Sequence, residues 1–267
     1  MLAAFYDRLR DCIAVAQVED KCSMVASLWA EVSAQQIELS GDPVQAITEA
    51  GRPVLPLLVH PAKVPRRGLG SELGRASLVH AIAHIEFNAI NLALDAAYRF
   101  RDFPTQYYTD WLSVAWDEVR HFRMLQQRLE AMGHQYGDFP AHNGLWEMAV
   151  KTAADPMIRM ALVPRVLEAR GLDVTPAMIA RLEAVGDSQT VEILQVILAE
   201  EVRHVAIGSD WFRWCCQQRG LDYEQVFRQL LAEYYGILKG PFNQSARLEA
   251  GFSVAELEYL FRQAEAN

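Results

Sequence analysis

Glutamate and histidine recur in this sequence at a spacing that suits metal binding. Residues 117–121 read Asp-Glu-Val-Arg-His, and residues 200–204 read Glu-Glu-Val-Arg-His. A further glutamate, Glu86 or Glu168, stands 32 or 33 positions before the second acidic residue of each motif. The pattern Glu…Glu-x-x-His therefore occurs twice, and it predicts a duplicated metal half-site.

Helical geometry explains how such a pattern could hold metal. Residues three apart on a helix lie about 60° apart around its axis and one turn apart along it, so Glu and His of each motif can converge on one ion. Each glutamate interrupts an apolar helical stripe, where an uncompensated carboxylate would be costly. Four carboxylates and two imidazoles suit two ions of iron or manganese, whereas zinc sites use fewer carboxylates. The predicted ligands are Glu86, Glu118, His121, Glu168, Glu201 and His204.

The residues beside the predicted ligands repeat as well. Asp117 and Glu200 could each accept a hydrogen bond from the far nitrogen of a ligating imidazole on another helix. Arg120 and Arg203 could balance the acidic charge. Ordinary solvent-facing ion pairs explain these four residues almost equally well, and a lone Glu-x-x-His would be a chance surface pair. The repetition on two apolar stripes favours metal binding.

The remaining histidines carry weaker signals. His80 and His84 point away from Glu86 on the helical wheel, so we interpret both as packing residues with hydrogen-bond partners. His142 lies in the segment 133–146, which is rich in turn residues. It could line a channel to the site, and a structural hydrogen bond explains it equally well.

Four long helices are predicted to carry the ligands. The first begins at the N-cap Ser71 and extends to about residue 101, and the second runs from Pro104 to Met132 before Gly133. The third runs from residue 155 to 171 with a kink at Pro164, and a short helix follows at 175–185. The fourth extends from about 187 to 219. A long connection at 134–155 would let the chain cross the bundle, as in ferritin-like topologies.

The pattern predicts an all-α fold with one domain over residues 1–267. The core bundle spans about 71–220. It is preceded at 1–70 by helices and a Pro-rich strap (residues 51–70) and followed at 221–267 by two helices. In the strap, five apolar residues are expected to be buried: Val54, Leu55, Leu57, Leu58 and Val59.

Composition limits the classes of binding partner and indicates the cellular compartment. The net charge of −9 argues against broad binding to nucleic acid or to an anionic membrane. Lys63, Arg66, Arg67 and Arg75 could still form a local basic lip or simply a solvated surface. The four cysteines form no disulfide framework, and no segment is long and apolar enough to span a bilayer, so a cytoplasmic location is expected.

The sequence resembles the ferritin-like superfamily and, more narrowly, an uncharacterised bacterial family of ferritin-like di-iron proteins. Four segments carry this resemblance: residues 84–86 (His-Ile-Glu), 136–146 (Tyr-Gly-Asp through Gly-Leu-Trp), 168–173 (Glu-Ala-Arg-Gly-Leu-Asp) and 241–243 (Pro-Phe-Asn). The chain is also distantly similar to the di-iron tRNA hydroxylase. That resemblance implies a four-helix bundle and the same six ligands.

These features lead to an expected function. Two iron ions, or manganese or a mixed pair, would activate O2 to hydroxylate or oxidise an organic substrate, such as a small metabolite or a modified nucleoside, in a dry pocket lined by Ile82, Ile90, Val114 and Ile197. No dinucleotide fingerprint or ferredoxin-type cysteine run is present, so an external donor would supply electrons. A homodimer is compatible with the sequence. The alternatives are a ferroxidase or peroxide-handling protein like ferritins and rubrerythrins, and a metal-free helical module.

Overall fold

In the computed structural model, residues 4–35, 38–65 and 67–265 are described. This part of the chain is helical and contains no β-strand, only an isolated bridge between Leu58 and Ala141. The predicted all-α class is therefore confirmed. None of the described helices combines the length and the apolar character needed to cross a membrane. Two compact units make up the chain, residues 1–150 and 151–267.

Unit 1 is organised around two long helices. Its helices are α1 (Phe5–Ala14), α2 (Val18–Ser33), α3 (Glu72–Arg99), α4 (Thr105–Ala131) and α5 (Gly144–Lys151), whose last residue belongs to unit 2. A five-residue connection joins α3 to α4, so the two pack as neighbours of opposite direction, and α1 and α2 pack against α3 and α4, respectively. The Ser71 hydroxyl accepts a hydrogen bond from the Gly74 N–H, which confirms the predicted N-cap of α3.

Unit 2 consists of a bent helical segment packed against one long helix. Its elements are α6 (Pro156–Leu162), a π-helix (Val163–Glu168), α7 (Ala169–Glu183), α8 (Ser188–Gln218), α9 (Tyr223–Tyr234), α10 (Gln244–Glu249) and α11 (Val254–Glu265). The side chains of Asp155 and Asp187 accept hydrogen bonds from the first turns of α6 and α8, as capping residues do. The π-helix, α6 and α7 all pack against α8.

Two expectations about the elements were wrong, and one irregularity was placed correctly. Gly171 does not end a helix, because α7 continues through it to Glu183 without the break expected before residue 175. The irregularity expected at Pro164 is present and takes the form of a π-helix, since proline lacks the N–H of a normal turn and its ring crowds the preceding carbonyl. Three helices, and not two, follow residue 220, because Gly251 adopts φ +85° and separates α10 from α11.

The described residues of the strap are ordered, but none of the five apolar residues expected to be buried is buried, and Leu58 and Val59 are only half-buried. Val54, Leu55 and Leu57 are 92%, 56% and 62% exposed, respectively, which contradicts the expected burial. The backbone explains this outcome: Leu57 O accepts from the Ala141 N–H (3.0 Å), and the Val59 N–H donates to Ala141 O (2.8 Å). The strap is therefore held by its main chain, which leaves those side chains at the surface.

Candidate metal centre

The predicted ligands of unit 1 come together between α3 and α4. Glu86 extends from the middle of α3, and Glu118 and His121 extend from adjacent turns of α4. The Nδ1 atom of His121 lies 3.3 Å from Glu86 Oε2 and 3.3 Å from Glu118 Oε2. All three residues are buried, and each offers a ligand atom within 4.8 Å of the others. This buried acidic group could hold a metal ion.

Electrostatics show that these carboxylates need a positive charge beside them. Burial raises the pKa of Glu86 well above its usual value, and the nearby Glu118 carboxylate raises it further. Burial alone would lower the pKa of His121, but hydrogen bonds and attraction to Glu118 and Glu86 outweigh that effect and raise it to about 11. Without another cation, both Glu86 and His121 therefore favour their protonated forms, and a bound divalent cation could replace those protons.

Buried apolar residues lie one helical turn from two of the ligands in unit 1, at positions 82 and 90 beside Glu86 and at position 114 before Glu118. Ile82 and Ile90 on α3 and Val114 on α4 are 7%, 0% and 1% exposed, respectively, as expected for residues of a dry interior. Water is therefore largely excluded from this part of the unit, which strengthens every electrostatic interaction of the carboxylates. Ile197, the fourth residue predicted to line the pocket, is also buried, on α8 of unit 2.

Unit 2 reproduces the motif geometry. The Nδ1 atom of His204 lies 3.2 Å from Glu201 Oε1, with the same ring nitrogen and the same three-residue offset as in the His121–Glu118 pair. His204 is fully buried, and the Glu201 side chain is 12% exposed. Glu168 is the last residue of the π-helix, which packs against α8, and it is half-buried. Its participation as a ligand stays a prediction.

A buried arginine holds the π-helix in place. Arg165 donates from Nη2 to both carboxylate oxygens of Glu256 on α11 at 2.8 Å and from Nε to Ser209 Oγ at 3.1 Å. Its guanidinium carbon lies 4.8, 4.2 and 4.4 Å from the ring centres of three phenylalanines, Phe212, Phe227 and Phe252. The C-terminal helices therefore anchor the segment that ends at Glu168.

The charged residues next to the motifs form local contacts. Asp117 accepts a hydrogen bond from Arg120 on the same helix at 2.5 Å, which is the arrangement expected of a simple ion pair. Glu200 is half-buried and Arg203 is exposed. Hydrogen bonding of Asp117 or Glu200 to a ligating imidazole stays a prediction.

The other histidines of α3 are packing residues, as predicted. His80 Nε2 accepts a hydrogen bond from the Gly137 N–H at 2.9 Å, and His84 Nδ1 lies 2.9 Å from the Tyr136 hydroxyl. His142 is exposed, and its Nδ1 accepts from the Gly144 N–H, so this side chain makes a local structural contact.

Sequence reasoning missed two buried polar residues on α3, Asn88 and Asn91. Asn88 follows His84 by four positions and Asn91 follows Asn88 by three, so all three residues lie on the side of the helix opposite Glu86. Their helical spacing within an otherwise apolar helix is the sequence signal by which these polar residues could have been found.

The basic lip is only partly described, because Arg66 lies outside the described residues. Lys63 and Arg67 are exposed and Arg75 is half-buried. Arg67 donates to Ser77, and Arg75 donates to the Leu69 carbonyl, so both side chains have local partners.

One family model and one curated relative match most of this chain. The model of the family described as "Protein of unknown function (DUF455)" matches residues 14–258. An "Uncharacterized protein" of Haemophilus influenzae (strain ATCC 51907 / DSM 11121 / KW20 / Rd) is 43% identical over 273 residues, covering 98% of this chain and 95% of that protein. No solved structure matches. By its family match over most of its length, the chain belongs to the DUF455 family.

Proposed function

We propose that this protein is a di-iron carboxylate oxidoreductase that uses O2 to hydroxylate or otherwise oxidise an organic substrate. The observation that carries the proposal is the repeated pair of a glutamate and a histidine Nδ1 three residues later, at 3.3 Å in unit 1 and 3.2 Å in unit 2. Glu86 and Glu168 would complete the two halves.

The donor chemistry fits such a pair. Carboxylate oxygens and imidazole nitrogens bind iron and manganese, and a Glu-x-x-His motif on each of two helices plus a Glu on each of two others is the ligand set of di-iron carboxylate bundles. Iron bound in this way would supply the capacity to reduce O2 and oxidise a C–H bond. Manganese or a mixed pair satisfies the same ligands.

The protein itself would contribute position and environment. Glu118 and His121 are fixed on one helix by their three-residue spacing, so the ligands of unit 1 need little rearrangement to bind an ion. Ile90 and Val114 exclude water from the neighbourhood of Glu86. A separate donor protein would supply electrons, and the organic substrate would bind beside the metal pair.

Metal analysis is the direct test. The full chain is reconstituted anaerobically with Fe(II), desalted and measured for iron, and its optical spectrum is recorded on exposure to air. We expect about two iron ions per chain, the number that this ligand set binds. A chain that retains no iron or manganese contradicts the proposal. Catalytic mineral formation without added substrate indicates a ferritin-type activity and also contradicts it.

Matched variants test the two halves separately. His121→Ala and His204→Ala each remove one imidazole, and we expect each to lose roughly half of the bound iron or more. His60→Ala removes an exposed histidine and serves as the control. Equal iron content in all three variants would show that metal binds elsewhere, outside the predicted ligand set.

A further inference from the structure

Unit 1 contains a cavity of about 470 Å³ on the side of α3 that faces the strap. We call it the strap cavity, and its lining includes Arg52, His84, Asn88, Asn91, Asn143 and Trp146. Its volume lies within the range of about 300–1,000 Å³ found for small-ligand sites. His84 and Glu86 are two positions apart and point about 200° apart on α3, so the cavity is not part of the metal centre.

Arg52 presents an unused hydrogen-bonding edge at this cavity. Its Nη1 donates to the carbonyl oxygens of Pro53 (3.0 Å) and Pro56 (3.3 Å), which fixes the guanidinium against the strap. Its Nε and Nη2 donate to no described residue, and no described carboxylate pairs with it. The Nε–Nη2 edge is the one with which arginine grips a carboxylate or phosphate through two parallel hydrogen bonds. Arg52 is therefore oriented for an anion that the protein itself does not provide.

A second cation lies behind the cavity wall. The Lys21 side chain is fully buried, and its Nζ donates to Cys12 O (2.8 Å), Ile13 O (2.9 Å) and Asn91 Oδ1 (2.7 Å). All of these acceptors are neutral, and no described carboxylate pairs with the ammonium group. Burial lowers the pKa of Lys21 to about 8, so it still carries charge at neutral pH. An uncompensated buried charge is costly, and a nearby anion would reduce that cost.

The remaining walls offer polar and flat surfaces. The side-chain amide of Asn143 makes no hydrogen bond with any described residue, so it is free to donate to a ligand. Trp146 is held by a hydrogen bond from its Nε1 to Thr48 O at 3.0 Å and presents an aromatic surface. Glu49 is the one acidic residue that lines the cavity, and it is exposed.

We infer that the strap cavity binds a small organic oxyanion, whose carboxylate or phosphate group is held by the free edge of Arg52 and by Asn143. Lys21 provides additional positive potential through the wall, and Trp146 packs against the body of the ligand. This site is separate from the metal centre and does not depend on the proposed oxidoreductase activity.

Titration of the full chain with paired probes tests the site. Glutarate and adenosine monophosphate supply a carboxylate and a phosphate, and glutaramide and adenosine are their neutral counterparts. In a ¹⁵N-arginine-labelled sample, at least one anionic probe should shift the Nε–Hε signal of Arg52 saturably, with a Kd below about 1 mM. The probe that binds identifies the carboxylate or the phosphate as the ligand group. Saturable shifts with neither anion, or equal shifts with the neutral counterparts, would overturn the inference.

Three variants separate recognition from folding. Arg52→Gln should weaken binding at least about tenfold, since a charge-assisted bidentate contact contributes roughly 1.5–3 kcal/mol. Asn143→Asp places a negative charge at the ligand without altering the strap, and it should weaken binding as well. Arg67→Gln removes an exposed arginine of the same unit that does not line the cavity, and binding should be unchanged. Loss with Arg52→Gln but not with Asn143→Asp would assign the effect to strap distortion and reject the site.

Discussion

Gly208 on α8 lies directly against the ring of Pro164 in the π-helix, and a β-carbon at position 208 would overlap the Cβ and Cγ atoms of that proline. Both residues are buried. Because Pro164 disrupts the regular helix four residues before Glu168, its close approach to α8 determines where the end of the π-helix lies relative to Glu201 and His204 within unit 2. The absence of a side chain at Gly208 therefore allows the close packing that positions Glu168, a predicted ligand.

Gly208→Ala should therefore separate the two segments and destabilise the protein by about 1–3 kcal/mol, the usual cost of overpacking a core. Gly171→Ala is a matched control, because Gly171 is also helical and nothing lies within 4 Å of an added β-carbon there. That control should be neutral or stabilising by about 0.5–1 kcal/mol. Urea unfolding of both variants measures the difference, and equal effects would contradict the close-packing explanation.

Removing one carboxylate from the metal centre should raise the stability of the metal-free protein and lower its metal content. Glu86 and Glu118 are buried together, and a neutral amide in place of one carboxylate removes both their repulsion and the cost of burying that charge. Glu86→Gln should therefore raise the midpoint of thermal unfolding of the metal-free protein while reducing its iron content. Calorimetry of the metal-free chain, together with iron analysis after reconstitution, provides the test. A variant that is less stable without metal would indicate that Glu86 is a structural partner of His121.

Local signals in the sequence predicted most of the helices. Ser71, Asp155 and Asp187 mark helix starts because a side-chain acceptor next to an apolar helical run has few other uses, and all three cap helices. Gly171 misled the prediction, because a glycine that ends a helix and one that lies inside a helix look alike without the tertiary packing. The exposure of Val54 and Leu57 depends on a main-chain bridge to Ala141, which leaves no side-chain pattern.

The spacing of the candidate ligands in unit 1 could be predicted from the sequence, but their geometry could not. The three-residue spacing of Glu118 and His121 was sufficient to place both on one face of α4. The ring nitrogen of His121 that faces the carboxylates depends on the rotamer that the neighbouring side chains of α3 allow. In the structure this nitrogen is Nδ1. The strap cavity could not be predicted, since the orientation of Arg52 depends on carbonyl groups of the folded strap.

The Arg165–Glu256 pair should contribute far more to stability than an exposed pair does. Both side chains are fully buried, so Glu256→Gln leaves a guanidinium charge without compensation and should cost about 3–5 kcal/mol. Glu258→Gln is the control, because it breaks an exposed contact with Arg262 at 3.9 Å and should cost about 0–1 kcal/mol. The double variant Arg165→Met/Glu256→Leu should recover much of the loss in denaturant unfolding. No recovery would show that Arg165 is needed for its contacts with the phenylalanines.

His80 should make the protein sensitive to acid. Burial lowers its pKa from 6.5 to about 4, although the nearby Asp138 carboxylate partly opposes this shift. The group faces Tyr136 and Phe139, whose rings each lie 5.4 Å from the imidazole centre, and it also feels the charge state of His84. Its Nε2 accepts a hydrogen bond from the Gly137 N–H, so the neutral ring carries its proton on Nδ1, and a second proton on Nε2 would disrupt that hydrogen bond.

Proton binding to His80 makes the free energy of unfolding depend on pH. Between pH 6.5 and about 4 the unfolded chain binds a proton at this histidine and the folded chain does not, so the free energy of unfolding falls as the pH falls. The loss from this group should reach about 3 kcal/mol at pH 4 and should be absent above pH 7. Urea unfolding of the wild type and of His80→Gln at several pH values measures this loss. At pH 7 the variant should be less stable than the wild type, because the hydrogen bond to Gly137 is altered. The difference in the free energy of unfolding should narrow as the pH falls. Parallel profiles would show that His80 is protonated equally in the folded and unfolded chains.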